Sequence, residues 1–121
     1  MNITSAIAVA AVLLLPALAD TPAEARMLSC SIEASRQGGL LRLVAYASSE
    51  VAGEVHSELT VAKRGPSGTS RNRQGGIYAV KAGRRTIVGG VTIGAEGTSD
   101  VSATLDVDSD MGTAQCSYPK D

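Results

Sequence analysis

The sequence predicts an all-β protein, an antiparallel β-sandwich of seven to eight short strands, and three observations support this. Apolar and polar residues alternate in short runs from about residue 28 onward, which is the pattern of strands with one buried face. Turn-forming clusters rich in glycine separate these runs at spacings of roughly 8 to 12 residues. The same region contains no run with the apolar spacing of an amphipathic helix.

The first three predicted strands begin at residues 28, 40 and 54, and each presents an apolar face. A Gln37-Gly38-Gly39 turn separates the first two. The positions expected to face the core are Leu28, Cys30, Ile32 and Ala34, then Leu41, Leu43, Ala45 and Ala47, then Val55, Leu59 and Val61.

The second half of the chain is predicted to contain shorter and more interrupted strands. A Gly/Pro/Ser loop is expected over Lys63–Ser70, and Gly75-Gly76 is expected to break a polar strand from a short apolar one. Gly89-Gly90 predicts a bulge or bend within a further strand. The expected strands are Ser70–Gln74, Ile77–Val80, Thr86–Ile93, Val101–Val107 and Thr113–Tyr118, with turns at 82–83, 94–97 and 108–112. This succession favours an immunoglobulin-like sandwich, although the core tryptophan of antibody domains is missing.

Composition limits both the core and the functions. The chain has 121 residues, which favours one domain, and it contains three Tyr but no Trp or Phe, so the core must be aliphatic. A formal net charge of −1 and the scarcity of aromatic residues argue against a nucleic-acid partner. One His and two Cys cannot complete a tetrahedral zinc site of nitrogen and sulfur ligands within the chain, and no cofactor or metal is expected.

The N-terminus predicts an export signal. Residues 3–19 are uncharged, and the apolar stretch 6–15 has the length of a signal-peptide core rather than of a membrane span. Ala17-Leu18-Ala19 predicts cleavage after residue 19, and Ala23-Glu24-Ala25 predicts an alternative end at residue 25. An uncleaved anchor is the competing interpretation, because only the α-amino group is positive there. The expected organisation is a signal peptide 1–19, a linker 20–27, one sandwich domain 28–118 and a tail 119–121, with no membrane attachment after cleavage.

The two cysteines lie at the two ends of the predicted domain. Export to an oxidising compartment favours a disulfide between Cys30 and Cys116, which requires Cα atoms roughly 4.4 to 6.8 Å apart. A redox pair is the alternative, but the Cys-x-x-Cys spacing that lowers a thiol pKa is missing.

Charge is segregated along the chain. Seven basic residues and no acid lie between residues 63 and 85, namely Lys63, Arg64, Arg71, Arg73, Lys81, Arg84 and Arg85. Five acids and no base lie between residues 96 and 110, namely Glu96, Asp100, Asp106, Asp108 and Asp110. Because neighbouring strands share a surface, the basic segment predicts an electropositive partner-binding surface for acidic partners. The alternative is an ordinary solvated surface.

The chain carries no motif that points to an enzyme. Walker, dinucleotide-binding and nucleophile-elbow motifs are absent, and the S-x-x-K spacing at Ser117–Lys120 lacks its companion motifs. His56 lies between Glu54 and Glu58 on the polar face of a predicted strand, where a solvated histidine is expected. We therefore expect a protein that acts without catalysis.

A family resemblance appears in the order and spacing of several segments. They are Cys30, Ser67–Gly76 (SGTSRNRQGG), Ile77-Tyr78, Gly83, Val88-Gly89-Gly90-Val91, Ala103-Thr104-Leu105, and Gly112 shortly before Cys116. Over about residues 28–118 the chain resembles the CsgH-like members of the CsgC curli-assembly family. It departs from them at Arg73, where members carry Asn, and it lacks the Cys-x-Cys of the enterobacterial CsgC branch. The second departure argues against an oxidoreductase role.

The resemblance implies a periplasmic, immunoglobulin-like inhibitor that keeps the amyloidogenic curli subunit from polymerising before secretion. A monomer that makes transient contacts through a charged face or a strand edge is expected. Two other classes stay open. One is a structural or adhesive subunit of a surface assembly, and the other is a periplasmic redox or metal-binding module that uses Cys30, Cys116 and His56.

Overall fold

The computed structural model describes residues 27–66, 68–95 and 100–120. The predicted signal peptide at 1–19, with its alternative end at 25, lies outside the described residues, as do Glu96 and most of the predicted linker. Within the described ranges, no helix has the length and apolar character needed to cross a bilayer.

Seven strands form two antiparallel sheets, as the alternating pattern predicts. They are β1 (Leu28–Gln37), β2 (Leu40–Ser49), β3 (Gly53–Gly65), β4 (Gly68–Val80), β5 (Thr86–Gly94), β6 (Asp100–Ser109) and β7 (Gly112–Tyr118). One sheet has the order β1-β2-β5 and the other has the order β4-β3-β6-β7. The edge strands are therefore β1 and β5 in the first sheet and β4 and β7 in the second.

The two sheets pack face to face, so that each lateral side of the sandwich is formed by two edge strands. β1 packs against β7, and β5 packs against β4. We call these the β1/β7 side and the β4/β5 side. The all-β sandwich that the sequence predicts is confirmed.

The core is aliphatic, as the composition requires. It consists of Leu28, Leu41, Leu43, Ala45, Ala47, Val55, Leu59, Val61, Val80, Val88, Ala95, Ala103, Leu105 and Val107. The inward positions expected for the second and third strands are all buried. On β1, Cys30 and Ile32 are half-buried, but Ala34 is exposed, contrary to expectation. The reason is that β7, the strand facing β1, is only seven residues long and does not reach as far as Ala34.

Two predicted boundaries on the third and fourth strands are wrong. The loop expected over Lys63–Ser70 is mostly strand, because β3 extends to Gly65 and β4 begins at Gly68. Gly75-Gly76 does not interrupt β4, and both glycines pair in unbroken register with Glu58 and Ser57 of β3. Pairing is made by main-chain groups, which glycine possesses like any other residue. The described residues therefore contain seven strands, of which β4 is one of the two longest.

The bulge predicted near Gly89-Gly90 lies one residue earlier. Ala45 of β2 pairs with Gly89 and Tyr46 pairs with Ile87, so Val88 is the extra residue of β5. Such an insertion bends a strand and increases its local twist.

Candidate functional site

The predicted disulfide closes the β1/β7 side of the sandwich. Cys30 on β1 and Cys116 on β7 are bonded, with Cα atoms 6.1 Å apart and a sequence separation of 86. The pairing prediction is confirmed, and the bond links the edge strands of opposite sheets. A disulfide of this kind fits an oxidising, extracytoplasmic compartment.

Three of the seven basic residues come together on the outer face of the four-stranded sheet. Arg71 and Arg73 lie on β4 opposite Ala62 and Thr60, and Arg64 lies on β3 opposite Thr69. All three are exposed. We call Arg64, Arg71 and Arg73 the sheet cluster. Two of its three members lie on β4, which is an edge strand.

The other end of β4 leads into a second basic group, formed by Lys81, Arg84 and Arg85, which we call the loop cluster. Lys81 follows Arg71 by ten positions, and at the rise of a β-strand this corresponds to roughly 30 Å. Screening between exposed charges sets in at about 10 Å in 0.1 M salt, so the two clusters act as separate surfaces. The structure therefore divides the seven basic residues rather than placing them on one face, and the partner-binding role of either cluster stays a prediction.

Arg85 is held on the outer face of the three-stranded sheet. Its guanidinium carbon lies 3.8 Å from the centroid of the Tyr46 ring, and the guanidinium forms a salt bridge with Glu33 of β1. The hydrogen bond to the Glu33 carboxylate raises the pKa of Arg85 above its ordinary value. Because its charge is already paired with Glu33, Arg85 is the member of the loop cluster least available to a binding partner.

The Lys63 side chain points toward the interior face of the sheet rather than the outer one. Lys63 pairs with Ser70, and the alternation of side chains along β3 gives it the same orientation as the buried residues of that strand. It is half-buried near Gly94, whose added Cβ would lie 4.0 Å from the lysine Nζ. Lys63 therefore points to the opposite face of β3 from Arg64 and is not a member of either basic cluster.

Three of the five acids, Asp100, Asp106 and Asp108, lie on β6 and occupy the same outer face as the sheet cluster. Asp106 and Asp108 of β6 lie opposite Glu58 and His56 of β3. Glu58 also forms a salt bridge with Arg73, in which Arg73 Nε lies 3.4 Å from Glu58 Oε2. The outer face thus has Arg71 and Arg73 on β4 and acidic residues on β6. Between them, β3 carries both Glu58 and Arg64, and Arg64 lies directly opposite Asp100. No three metal-ligating side chains converge in the part of the chain that the structure describes, around His56 or elsewhere.

Gln74 is a residue whose role sequence reasoning missed. Its Nε2 donates to the carbonyl oxygen of Gly90 on β5 at 2.9 Å, and the Gly90 N–H donates to Gln74 Oε1 at 3.0 Å. Nearby, the buried Ser57 hydroxyl on β3 donates to the Val88 carbonyl oxygen at 3.0 Å. Gln74-Gly75-Gly76 and Val88-Gly89-Gly90-Val91, which are far apart in sequence, are therefore in direct contact and close the β4/β5 side. Their joint occurrence is the only signal in the sequence that could have suggested this contact.

The comparisons with known proteins agree with the fold and with the resemblance. The family model described as CsgH protein matches residues 29–119. The solution structure of R. palustris CsgH is 33% identical, with 75% of this chain and 90% of that chain covered and a TM-score of 0.66. The E. coli curli protein CsgC is 13% identical, with 76% and 98% covered and a TM-score of 0.68, and this likeness shows the fold alone. No curated protein matches the sequence significantly. Because the family model covers more than half of the sequence and a solved member shares a third of its residues, the chain belongs to the CsgH family.

Proposed function

We propose that this protein is a periplasmic inhibitor that keeps an amyloidogenic curli subunit from polymerising before secretion. The observation that carries the proposal is the match to the CsgH family over residues 29–119. The disulfide and the predicted export signal support a periplasmic location. The proposed activity is a transient protein–protein contact, and it requires no catalytic group, cofactor or metal.

An edge strand supports such an activity because amyloid grows by the addition of extended segments to unpaired strand edges. β4 is a 13-residue edge strand, and its outer face carries Arg71, Arg73 and Ile77. Ile77 is 60% exposed although it is a large apolar residue. This combination of main-chain edge, positive charge and apolar surface fits an extended segment with acidic residues.

The charges of the sheet cluster support a fast and weak encounter rather than a stable complex. An exposed ion pair contributes at most about 1 kcal/mol, and Arg73 already has Glu58 as a partner. Basic residues nevertheless raise the rate at which an acidic partner arrives, especially at low salt. A monomer that delays the polymerisation of a client without remaining bound is consistent with these magnitudes.

The test compares two triple substitutions that remove the same charge. The lag time of curli-subunit fibrillation is followed by thioflavin T with the wild-type protein, with Arg64→Gln/Arg71→Gln/Arg73→Gln and with Lys81→Gln/Arg84→Gln/Arg85→Gln. We expect the wild-type protein to lengthen the lag, the sheet-cluster variant to lose most of this effect, and the loop-cluster variant to retain it. Added salt should weaken the inhibition by the wild-type protein.

The possible outcomes distinguish a wrong function from a wrong binding surface. An unchanged lag with the wild-type protein would reject the inhibitor function. Equal inhibition by both variants would reject the sheet cluster as the working surface and leave the function standing. Fibres formed by the wild-type protein itself would identify a structural subunit instead.

A further inference from the structure

β5 has the composition of a strand that pairs readily with other strands. Its nine residues, Thr86–Gly94 (TIVGGVTIG), include six β-branched residues but no charge and no proline. Charged residues and proline are the features with which natural edge strands discourage association. Among the described strands β5 pairs with β2 alone, and Ile87 on it is 57% exposed. This edge therefore needs another kind of protection.

The free edge of β5 is occupied by side chains from the four-stranded sheet. Gly90 uses both its N–H and its carbonyl oxygen to bond the Gln74 carboxamide. These two groups must therefore point away from β2, where Gly90 is paired with Val44 in a position without ladder hydrogen bonds. The carboxamide supplies one donor and one acceptor, which is what a neighbouring strand would supply at this point. Two residues earlier, the Val88 carbonyl oxygen accepts a hydrogen bond from the Ser57 hydroxyl.

The backbone around this contact leaves room for it. A Cβ on Gly89 would lie 3.2 Å from Gln74 Oε1, which is tighter than an ordinary contact. Glycine at position 89 thus allows the carboxamide to approach the strand. The Val88 bulge adds a local twist, and bulges also discourage edge-to-edge pairing.

We propose that the Gln74 carboxamide is an edge cap that keeps β5 from pairing with the β5 strand of a second copy of this chain. An antiparallel β5–β5 pair would be related by a two-fold axis, so the same uncharged surface would meet itself. Each Gly90 would then exchange its bonds to Gln74 for bonds to the other copy. In the wild-type protein the bonds between Gln74 and Gly90 disfavour this exchange, so that β5 stays unpaired with a second copy.

The main variant is Gln74→Met, which keeps the length of the side chain and removes both hydrogen bonds to Gly90, together with a longer one from Nε2 to Asn72 Oδ1 at 3.4 Å. Gln115→Met is the matched control, because Gln115 lies on the edge strand β7 and bonds only the Asp106 side chain among the described residues. Sedimentation velocity over a range of concentrations should show Gln74→Met associating more than the wild-type protein, while Gln115→Met does not. Absence of increased association in a folded Gln74→Met variant would overturn the proposal.

A second substitution distinguishes edge pairing from simple destabilisation. Thr92 is two residues after Gly90 and pairs with Arg42, so its N–H also faces the open edge. Thr92→Pro removes this donor without removing a ladder bond to β2. Gln74→Met/Thr92→Pro should return to the association state of the wild-type protein. Association that persists in the double variant would place the contact elsewhere and reject the cap.

Hydrogen exchange on the wild-type protein tests the cap even if Gln74→Met does not fold. The Gly90 and Thr92 amides face the same edge, but only Gly90 has the carboxamide as an acceptor. After correction for intrinsic rates, the Gly90 amide should exchange roughly two- to tenfold more slowly than that of Thr92, as one net hydrogen bond implies. Equal rates would show that the cap is not formed in solution.

Discussion

At the scale of single residues, the hydroxyl of Ser57 satisfies a buried carbonyl at the bulge. Ser57 is only 5% exposed, and its Oγ donates to the Val88 oxygen at 3.0 Å. Because Ser57→Ala removes the donor of this buried hydrogen bond, it should lower the free energy of unfolding by about 1 to 3 kcal/mol. Urea denaturation measures the change. Ser102→Ala on the outer face of the same sheet is the control and should have an effect within about 0.5 kcal/mol. Equal effects of the two substitutions would contradict this assignment.

Residue-level function was only partly predictable from the sequence. The alternation on β2 and β3 identifies the buried positions, because a strand has a fixed period of two. The same period places Gln74 on a face but does not show that its carboxamide reaches the main chain of another sheet. Cys30 and Cys116 were predictable as a pair because two cysteines allow only one bridge. Arg85 was predictable as a charge, but its contacts with Tyr46 and Glu33 depend on how the three-stranded sheet folds.

At the scale of the element, β4 shows where the sequence pattern fails. Asn72, between Arg71 and Arg73, lies on the inward face of β4 but is exposed, because β4 is at the edge of the sheet. An apolar side chain is not needed there, so polar residues occupy both faces of this part of β4. Alternation of apolar and polar residues is then absent, and the segment has the composition of a loop. The long pairing of β4 with β3 depends on main-chain register, which composition does not encode.

β5 offers a prediction in which the same substitution has opposite effects at two positions. A Cβ on Gly89 would lie 3.2 Å from Gln74 Oε1 and 3.3 Å from Leu59 Cδ2, whereas a Cβ on Gly94 would meet only the flexible Lys63 Nζ at 4.0 Å. Gly89→Ala should therefore destabilise the protein by about 1 to 3 kcal/mol through overpacking. Gly94→Ala should be neutral or stabilise it by up to about 1 kcal/mol, because alanine restricts the unfolded chain. Thermal unfolding of both variants measures these changes in stability. A Gly89→Ala variant as stable as the wild-type protein would mean that β5 lies further from β4 than this contact implies.

At the scale of the whole molecule, the two lateral sides of the sandwich are closed in different ways. The β1/β7 side is closed by the covalent bond between Cys30 and Cys116, and the β4/β5 side is closed by the hydrogen bonds of Gln74 and Ser57. A net hydrogen bond contributes roughly 0.5 to 1.5 kcal/mol, whereas a disulfide across a long loop contributes several times more. The covalent side is therefore the more firmly closed of the two, and the hydrogen-bonded side is expected to open more readily.

Removal of the disulfide should consequently cost more stability than removal of the cap. Cys30 and Cys116 are 86 positions apart, and the chain-entropy model assigns a loop of this length roughly 4 to 5 kcal/mol. We expect Cys30→Ala/Cys116→Ala to lower the free energy of unfolding in urea by this amount, and Gln74→Met, with the disulfide intact, to lower it by less than half as much. Free-thiol titration of the unreduced, denatured wild-type protein should find no thiol, which confirms that the reference state carries the bond. A double alanine variant as stable as the wild-type protein would show that aliphatic packing alone holds β1 against β7.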